Sequence, residues 1–576
     1  MIRQRSHKPA NFIRGIHNRK LLRKQAESSP LIESSTTSPS MLPKRRYFLL
    51  SIVFLAACAS VASPPADTVQ SNTLTFIHLN DTYRVDAVEE GRRGGFGRVA
   101  TIVRQLQSEG RDVHILHGGD FLYPSLESQL WHGEQMVEAM NFLDALAPMY
   151  VVPGNHEFDP RSPEPLIDRV RESKFDWLGD NIRFATGAAD VDRSMQTAFT
   201  FTSGDRKIGI FALTVHPDHG GNVRDHIPFV SGYIERAESV IRQLEADGVD
   251  LILGLTHLHL QDDKRIAQLK ARHPKFMFIV GGHEHEVQFE PGDDDNAVIM
   301  KGASNARTIW RIDVDFSGAE LQLSESKIAV DDSIAFDAGY QEIADKWRGK
   351  LLALIPFLPS KIGEATLPLD AREVAIRNGE TNWGNFIADQ MRTAFRNPPA
   401  DLAFVNSGTL RIDDFIAEDI TFEDVGRTFG FSSFLRYMTM SGGDFRTLLE
   451  AGYLGIGPSK GYFPQVSGFR VCIDRSRPDG QRIVQMLVPV DGGGWQEIDQ
   501  EKDYLVVAPD YIYRGGDGYD FSNARDVSRP GSELKYLVLD GIIRAQSLGE
   551  TVGSAVDPDN ARFAVLPDNR DRCFDE

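Results

Sequence analysis

Five short apolar runs in the first half of this 576-residue chain each end on a carboxylate or an imidazole. Residues 74–79 run into Asn80-Asp81, and residues 113–117 into Gly118-Gly119-Asp120. Residues 149–152 run into Pro153-Gly154-Asn155-His156-Glu157-Phe158-Asp159. Residues 251–255 run into Thr256-His257-Leu258-His259, and residues 276–280 into Gly281-Gly282-His283-Glu284-His285. Apolar runs of this length between turn residues read as buried strands. Glycine just beyond a strand ends it and lets neighbouring backbone come close. In sheets flanked by helices, ligands bind outside the carboxyl ends of the strands. Five such ends, each bearing a side chain able to hold a metal or a proton, predict convergence on one point.

Helical stretches alternate with these strands at residues 99–107, 134–146 and 234–246, so residues 72–330 read as an α/β domain with a mainly buried sheet. Gly94-Gly95-Phe96-Gly97-Arg98 precedes the first helix, but its spacing is not that of a phosphate loop, and it reads as a helix-packing turn. Residues 331–358 read as a linker helix with Ile343, Trp347, Leu351, Leu352 and Ile355 on one side. A second domain follows over residues 359–576, opened by an N-capped helix at Gly379-Glu380-Thr381-Asn382-Trp383-Gly384-Asn385-Phe386-Ile387-Ala388-Asp389.

The motif set Asp81-Thr82-Tyr83, Gly119-Asp120, Gly154-Asn155-His156-Glu157, His257 and Gly282-His283-Glu284-His285 resembles the calcineurin-like metallophosphatases, and within them the 5'-nucleotidase family. The family pattern is D-x-H, G-D, G-N-H-E, a lone H, and G-H-x-H. Tyr83 departs from it, standing where the first histidine usually stands. The resemblance extends over roughly residues 72–540. It implies an N-terminal calcineurin-like α/β sandwich metallophosphatase domain, joined by the linker helix to a C-terminal α/β substrate-binding domain.

It also implies two divalent metal ions. Asp120 would bridge them, Asp81 and His285 would hold one, and Asn155, His257 and His283 the other. Mixed nitrogen and oxygen donors suit Zn, Mn or Fe rather than Ca. A bridging water acidified by both ions would attack phosphorus in line with the leaving oxygen. His156, with tautomer and orientation fixed by Asp159, would support the phosphoryl charge or protonate the leaving group. His78, His114, His117 and His259 hold no ligand position of the pattern and read as supporting residues. With Tyr83 in place of histidine, water would fill the gap at the first metal, and that position is expected to bind more weakly than the second.

In the second half, Asn406-Ser407-Gly408-Thr409-Leu410-Arg411 is similar to the family's N-G-G-x-x-R, whose Asn and Arg contact substrate. Phe431 matches the first base-stacking aromatic, Tyr511 the second, and Asp517 the acceptor for ribose hydroxyls. Two aromatic faces make a slot for a flat base. The arginine that precedes the family's E-x-N is Gly379 here, with Arg377 two residues earlier.

The chain's amino terminus reads as export machinery. Residues 1–40 are polar and basic and could bury no core. They read as an upstream extension of the reading frame, and Met41 is the expected start of the chain in the cell. It opens a basic n-region, an apolar h-region and Leu55-Ala56-Ala57-Cys58, which resembles a bacterial lipobox; an ordinary signal peptide is the alternative. The apolar run is too short to span a bilayer. The net charge is −19, and residues 1–58 carry eleven Lys/Arg against two Asp/Glu, so the exported part is strongly acidic. That argues against nucleic acid as a partner but not against an anionic substrate at a metal centre. Cys472 and Cys573 are the cysteines beside Cys58, and their spacing leaves open whether they pair.

The expected protein is a periplasm-facing, lipid-anchored, metal-dependent phosphohydrolase acting on nucleotides. The alternatives are a sugar-phosphate phosphatase or nucleotide-sugar diphosphatase on the same scaffold, and a catalytically weak surface binding protein. The Phe431, Tyr511 and Asp517 set argues against the thiosulfohydrolases of the same family.

Overall fold

The computed structural model describes residues 73–574, apart from 161, 216–231, 319–320, 395–398, 455–459, 558–559 and 568–572. The expectations for the signal segment and Cys58 lie outside the described residues. No helix among those described is long and apolar enough to cross a membrane.

Among the described residues, twelve strands build the first domain: β1 (Thr73–Leu79), β2 (Asp112–His117), β3 (Met149–Val151), β4 (Asp176–Trp177), β5 (Phe199–Ser203), β6 (Arg206–Thr214), β7 (Leu251–His257), β8 (Phe276–Gly281), β9 (Gln288–Glu290), β10 (Val298–Lys301), β11 (Thr308–Asp315) and β12 (Gln322–Ala329). They form two six-stranded sheets, in the orders β12-β11-β1-β2-β3-β4 and β5-β6-β7-β8-β10-β9. Strands β1 to β4 pair in parallel, as do β6, β7, β8 and β10, while the outer strands β12, β11, β5 and β9 run antiparallel.

Strand alternation explains the layering. On β1, Leu74 and Phe76 face Tyr150, Val152 and Phe278 in the core between the sheets. Ile77 and Leu79 face a helical layer with Phe96, Val99 and Val103. On the second sheet, Leu251, Leu253 and Leu255 face the same central core, while Ile252 packs with Val240, Ile241 and Leu244 of the opposite helical layer. Both faces of both sheets are covered, so the strands read as continuous apolar runs rather than alternating ones.

The expected helices form at Phe96–Ser108, Glu134–Asp144 and Tyr233–Ala246. The glycine-rich turn before the first is bound to neighbouring loops, Gly94 N–H donating to Val330 O and Gly95 N–H to Asn305 O. It packs the start of the helix against those loops.

The helix between the domains runs Ala338–Leu354, capped by Asp337, whose carboxylate accepts from Tyr340 N–H. Its buried stripe is Tyr340, Ala344, Trp347 and Leu351, at helical spacing; Leu352 and Ile355 are only half-buried. Trp347 packs against Trp131 and donates to Glu138, while Arg348 pairs with Glu423 of the second domain. The helix therefore holds on to both domains.

The second domain carries two four-stranded sheets. One orders Leu435–Ser441, Asp503–Pro509, Leu402–Asn406 and Pro464–Ser467; the other orders Trp495–Glu497, Ile483–Pro489, Arg470–Asp474 and Phe563–Leu566. Cys472 and Cys573 form a disulfide across 101 residues of sequence. A cross-link over so long a loop restricts the unfolded chain most. Cys472→Ser is expected to lower unfolding stability by about 2–5 kcal/mol, read as a lower midpoint in denaturant titration.

Candidate metal centre

The carboxyl ends of β1, β2, β3, β7 and β8 meet at one edge of the sandwich, as their sequences predict. Ligand atoms of Asp81, Asp120 and His285 all lie within 4.8 Å of one another, and all three residues are buried. His257 lies beside them, its Nε2 at 3.2 Å from Asp120 Oδ2. His257 Nδ1–H donates to Gly118 O at 2.6 Å, which turns the Nε2 lone pair toward Asp120. The His283 ring stands 5.2 Å from that of His257. Asn155 begins the turn that lays His156 N–H on Asp120 Oδ1 at 2.8 Å.

These side chains fit a metal. Asn155 Oδ1 is buried and has no hydrogen-bond partner, and buried His257 Nε2 faces only the Asp120 carboxylate. Orphaned buried polar atoms are rare because each costs free energy, and here both are donor atoms of the kind that divalent ions take. Burial disfavours charge on His257, yet the Asp120 and Asp81 carboxylates lift its pKa to about 9. Burial likewise opposes charge on Asp120, but His257 and His156 hold it well below the usual carboxylate range. The field of the two aspartates, which favours positive charge on His257, favours a bound cation in the same place.

The backbone is bent to this purpose. Four of the six candidate ligands, Asp81, Asp120, His283 and His285, have φ of +51°, +59°, +91° and +64°. Non-glycine residues in this region are strained and cluster at functional sites. Gly154 has to be glycine, because a Cβ there would fall 2.1 Å from Asp120 Oδ1.

Tyr83 does not leave a gap for water. Its hydroxyl points into the cluster, 3.0 Å from His285 Nε2, 3.3 Å from Asp120 Oδ2 and 3.4 Å from Asp81 Oδ1. Burial and the two aspartates push its pKa well above the ordinary value, so it stands as a neutral phenol.

His156 Nδ1–H donates to Asp159 Oδ2 at 2.7 Å, which fixes the tautomer and aims Nε2 outward. Nε2 accepts from Arg411 at 2.8 Å. The Phe431 ring lies 5.7 Å from His156, and the Arg411 guanidinium lies over both Phe431 and Tyr83 at 5.4 Å. The other residues expected to recognise substrate form a second group: Asn406 donates to Asp517 Oδ2 at 2.7 Å, and Tyr511 O–H to Asp517 Oδ1 at 2.9 Å. The Tyr511 ring lies flat on Gly516, where a Cβ would come within 2.6 Å. Phe431 is thus placed with the metal centre, and Tyr511 with Asp517.

The four other histidines support the frame. His78 meets Leu116 O and Gly281 O, one in each sheet, and burial lowers its pKa to about 4. His114 contacts Tyr150 and Phe201, and His117 contacts Thr82. His259 packs edge-on against His283 at 4.4 Å.

Three further residues brace the ligand loops. Glu157 accepts from the backbone N–H groups of Asp120, Phe121, Leu122 and Gly154, tying the second ligand loop to the third. Buried Lys301 donates to Leu258 O, Gly282 O and Glu284 and pairs with Asp263, clamping the His257 loop to the His283 loop. Glu373, from the second domain, accepts from His285 Nδ1–H. Of these, Glu157 alone lies within a motif; Lys301 and Glu373 give no local signal in the sequence.

Comparisons with known proteins follow the same division. The calcineurin-like phosphoesterase family matches residues 74–287, and the 5'-nucleotidase, C-terminal domain, family matches residues 361–523. The 5'-nucleotidase of Bos taurus is 25% identical over 525 residues, covering 82% of this chain and 88% of its own. The trifunctional nucleotide phosphoesterase protein YfkN of Bacillus subtilis is 24% identical over 517 residues, covering 82% of this chain but only 34% of its own length. Among solved structures, the 5'-nucleotidase precursor of Thermus thermophilus shares the fold with a TM-score of 0.73 at 24% identity, over 86% of this chain and 99% of its own. The sulfate thiohydrolase SoxB of Thermus thermophilus shares it with a TM-score of 0.67 at 16% identity, over 89% and 99%. The chain thus carries a calcineurin-like phosphoesterase domain, with the buried cluster of candidate ligands at its strand ends, followed by a 5'-nucleotidase C-terminal domain.

Proposed function

We propose that the protein is a metal-dependent phosphohydrolase that releases phosphate from nucleotides. The observation that carries this reading is the short segment from Asn406 to Arg411. Its first residue donates to Asp517, which Tyr511 also holds, and its last reaches His156 at the candidate metal centre. A substrate with a phosphate at one end and a hydroxylated, flat group at the other matches that span.

Asp81, Asp120 and His285 would hold one divalent ion, and Asn155, His257 and His283, with Asp120 shared, the other; Zn, Mn and Fe suit these donors. Bound ions would supply Lewis acidity toward the phosphoryl oxygens and an acidified water. The chain's own residues do the rest. Arg411, a planar fork of donors, binds phosphoryl oxygens and offsets their charge. His156, oriented by Asp159, presents Nε2 to the phosphoryl group; with a proton on Nε2 it would support the phosphoryl charge or protonate the leaving oxygen. Asp517 is oriented by Asn406 and Tyr511 to accept from sugar hydroxyls, and Tyr511 offers its ring to the base.

A panel of nucleoside monophosphates, sugar phosphates, nucleotide sugars and thiosulfonates, run with added Mn or Zn, tests the reading. Nucleotides are expected to lead in kcat/KM; preference for a sugar phosphate or a sulfur ester overturns it. Tyr511→Ala is expected to raise KM for nucleotides about tenfold or more, the worth of one stacked base, and to leave hydrolysis of a small aryl phosphate nearly unchanged. Equal loss on both substrates would remove Tyr511 from recognition.

Tyr83 makes the two metal positions unequal, since a neutral phenol is a poor ligand beside imidazole. Calorimetric titration with Mn is expected to show one tight and one weaker site, and Tyr83→His to bring them together. Two equally tight sites in the wild type count against this.

For location we propose export and lipid anchoring at Cys58. The lipobox-like sequence supports it, and the disulfide fits an oxidising compartment. Cys58→Ser is expected to release the protein from membranes or block its processing; unchanged membrane fractionation points to an ordinary signal peptide.

A further inference from the structure

We propose that Glu373, a residue of the C-terminal domain, is a positioning residue for the metal ligand His285, so that the first metal position depends on the second domain being docked. The proposal rests on the metal-centre reading above.

His285 is buried, with its two ring nitrogens facing different domains. Nε2 looks into the cluster, 3.4 Å from Asp81 Oδ1. Nδ1 lies 2.5 Å from Glu373 Oε2, across 88 residues of sequence. Glu373 has no oxygen to spare for solvent: its other oxygen accepts from Arg377 at 2.7 Å and from Arg411 Nη1 at 3.3 Å. A carboxylate on the far nitrogen of a ligating histidine fixes the tautomer, the ring angle and the basicity of the ligating nitrogen. Without it, the lone pair at Nε2 is not enforced.

Glu373 is itself held from the first domain. Its backbone N–H donates to Asp413 Oδ1 at 3.0 Å, and that carboxylate also accepts from Arg307 of the first domain at 2.8 Å. Ser304 and Asn305 of the first domain donate to the other oxygen of Asp413, both at 3.2 Å. Asn305 in turn donates its backbone N–H to Asp81 O and accepts from Tyr83 N–H. The path from Asp413 to both sides of the first metal position is thus continuous and buried. The same Glu373 carboxylate holds Arg411, so ligand and phosphate-binding guanidinium share one support. The bland reading is that Glu373 only neutralises the buried arginines around it. That reading gives no reason for its short contact to His285 and predicts no selectivity between the two metal positions.

The test is calorimetric titration of the metal-free full chain with Mn and, separately, with Zn. Glu373→Ala is expected to weaken one site by about 10–100-fold and leave the other at its wild-type affinity. Glu373→Gln keeps the shape and an acceptor oxygen without the charge, and is expected to give a smaller loss at the same site; it also serves if the alanine variant does not fold. In a His285→Ala background, Glu373→Gln should have no further effect on metal binding, because the two residues act through one contact. Wild-type affinities in Glu373→Gln and Glu373→Ala, equal weakening of both sites, or an undiminished effect in the His285→Ala background would each overturn the proposal. Failure of the wild type to take up either metal would instead overturn the metal-centre reading on which it rests.

Discussion

Asp120→Ala is expected to abolish turnover and metal retention together. The carboxylate is the hub of the site: Oδ1 takes His156 N–H at 2.8 Å, and Oδ2 faces His257 Nε2 at 3.2 Å and Tyr83 O–H at 3.3 Å. It is the acid nearest to both proposed metal positions. Stabilisation of transition-state charge by metal is worth several kcal/mol, so its loss corresponds to about a thousandfold or more in kcat. Asp120→Asn keeps the shape and the backbone contact, so it separates loss of charge from loss of fold. The checks are kcat on a nucleoside monophosphate and metal content of the purified protein. Two ions per chain and substantial turnover in Asp120→Asn would show that the site does not work as described.

His156→Ala is expected to cut kcat by about 10²–10⁴-fold, the range for a positioned proton-transfer group, while both metals stay bound. The reasoning is geometric. The His156 imidazole is not aimed at the cluster as a ligand; its Nε2 lies 4.0 Å from Asp120 Oδ2, and its contact to Asp120 is through the backbone N–H, which alanine keeps. Its ring nitrogens are committed to Asp159 and Arg411. Asp159→Asn, which removes the orienting charge but not the imidazole, is expected to cost less. Loss of either metal from His156→Ala would reassign the residue from proton transfer to ligation.

The candidate ligands are legible because each sits where a local pattern puts it. A buried strand followed by a glycine turn has few places for a polar side chain, and Asp81, Asp120, Asn155, His257 and His283 occupy them. The division into an α/β sandwich and a second domain is legible for the same reason, since fully buried parallel strands and amphipathic helices leave distinct periodicities. The linker helix keeps only part of its expected stripe: Trp347 and Leu351 are buried, while Ile343, Leu352 and Ile355 lie beside the buried line and are half-buried.

Tyr83 shows the limit of a motif. The sequence marks it as a departure and suggests water in the missing place. The structure instead turns the phenol into the cluster, because Asn305, from a loop after β10, accepts its backbone N–H and fixes the direction of the chain. No pattern near residue 83 encodes residue 305.

The amino-acid sequence by itself determined which strands are buried, where each one ends, and which side chains leave those ends. It did so because strand burial and turn chemistry are local, with a period of two residues and a short reach. Only the tertiary structure decided what those side chains meet. Lys301 clamps two ligand loops, Arg411 reaches His156 across 255 residues, and Glu373 backs His285 from another domain. Such contacts join buried charges that need partners, and the partner is set by which loops the two sheets and the second domain bring together, not by distance along the chain.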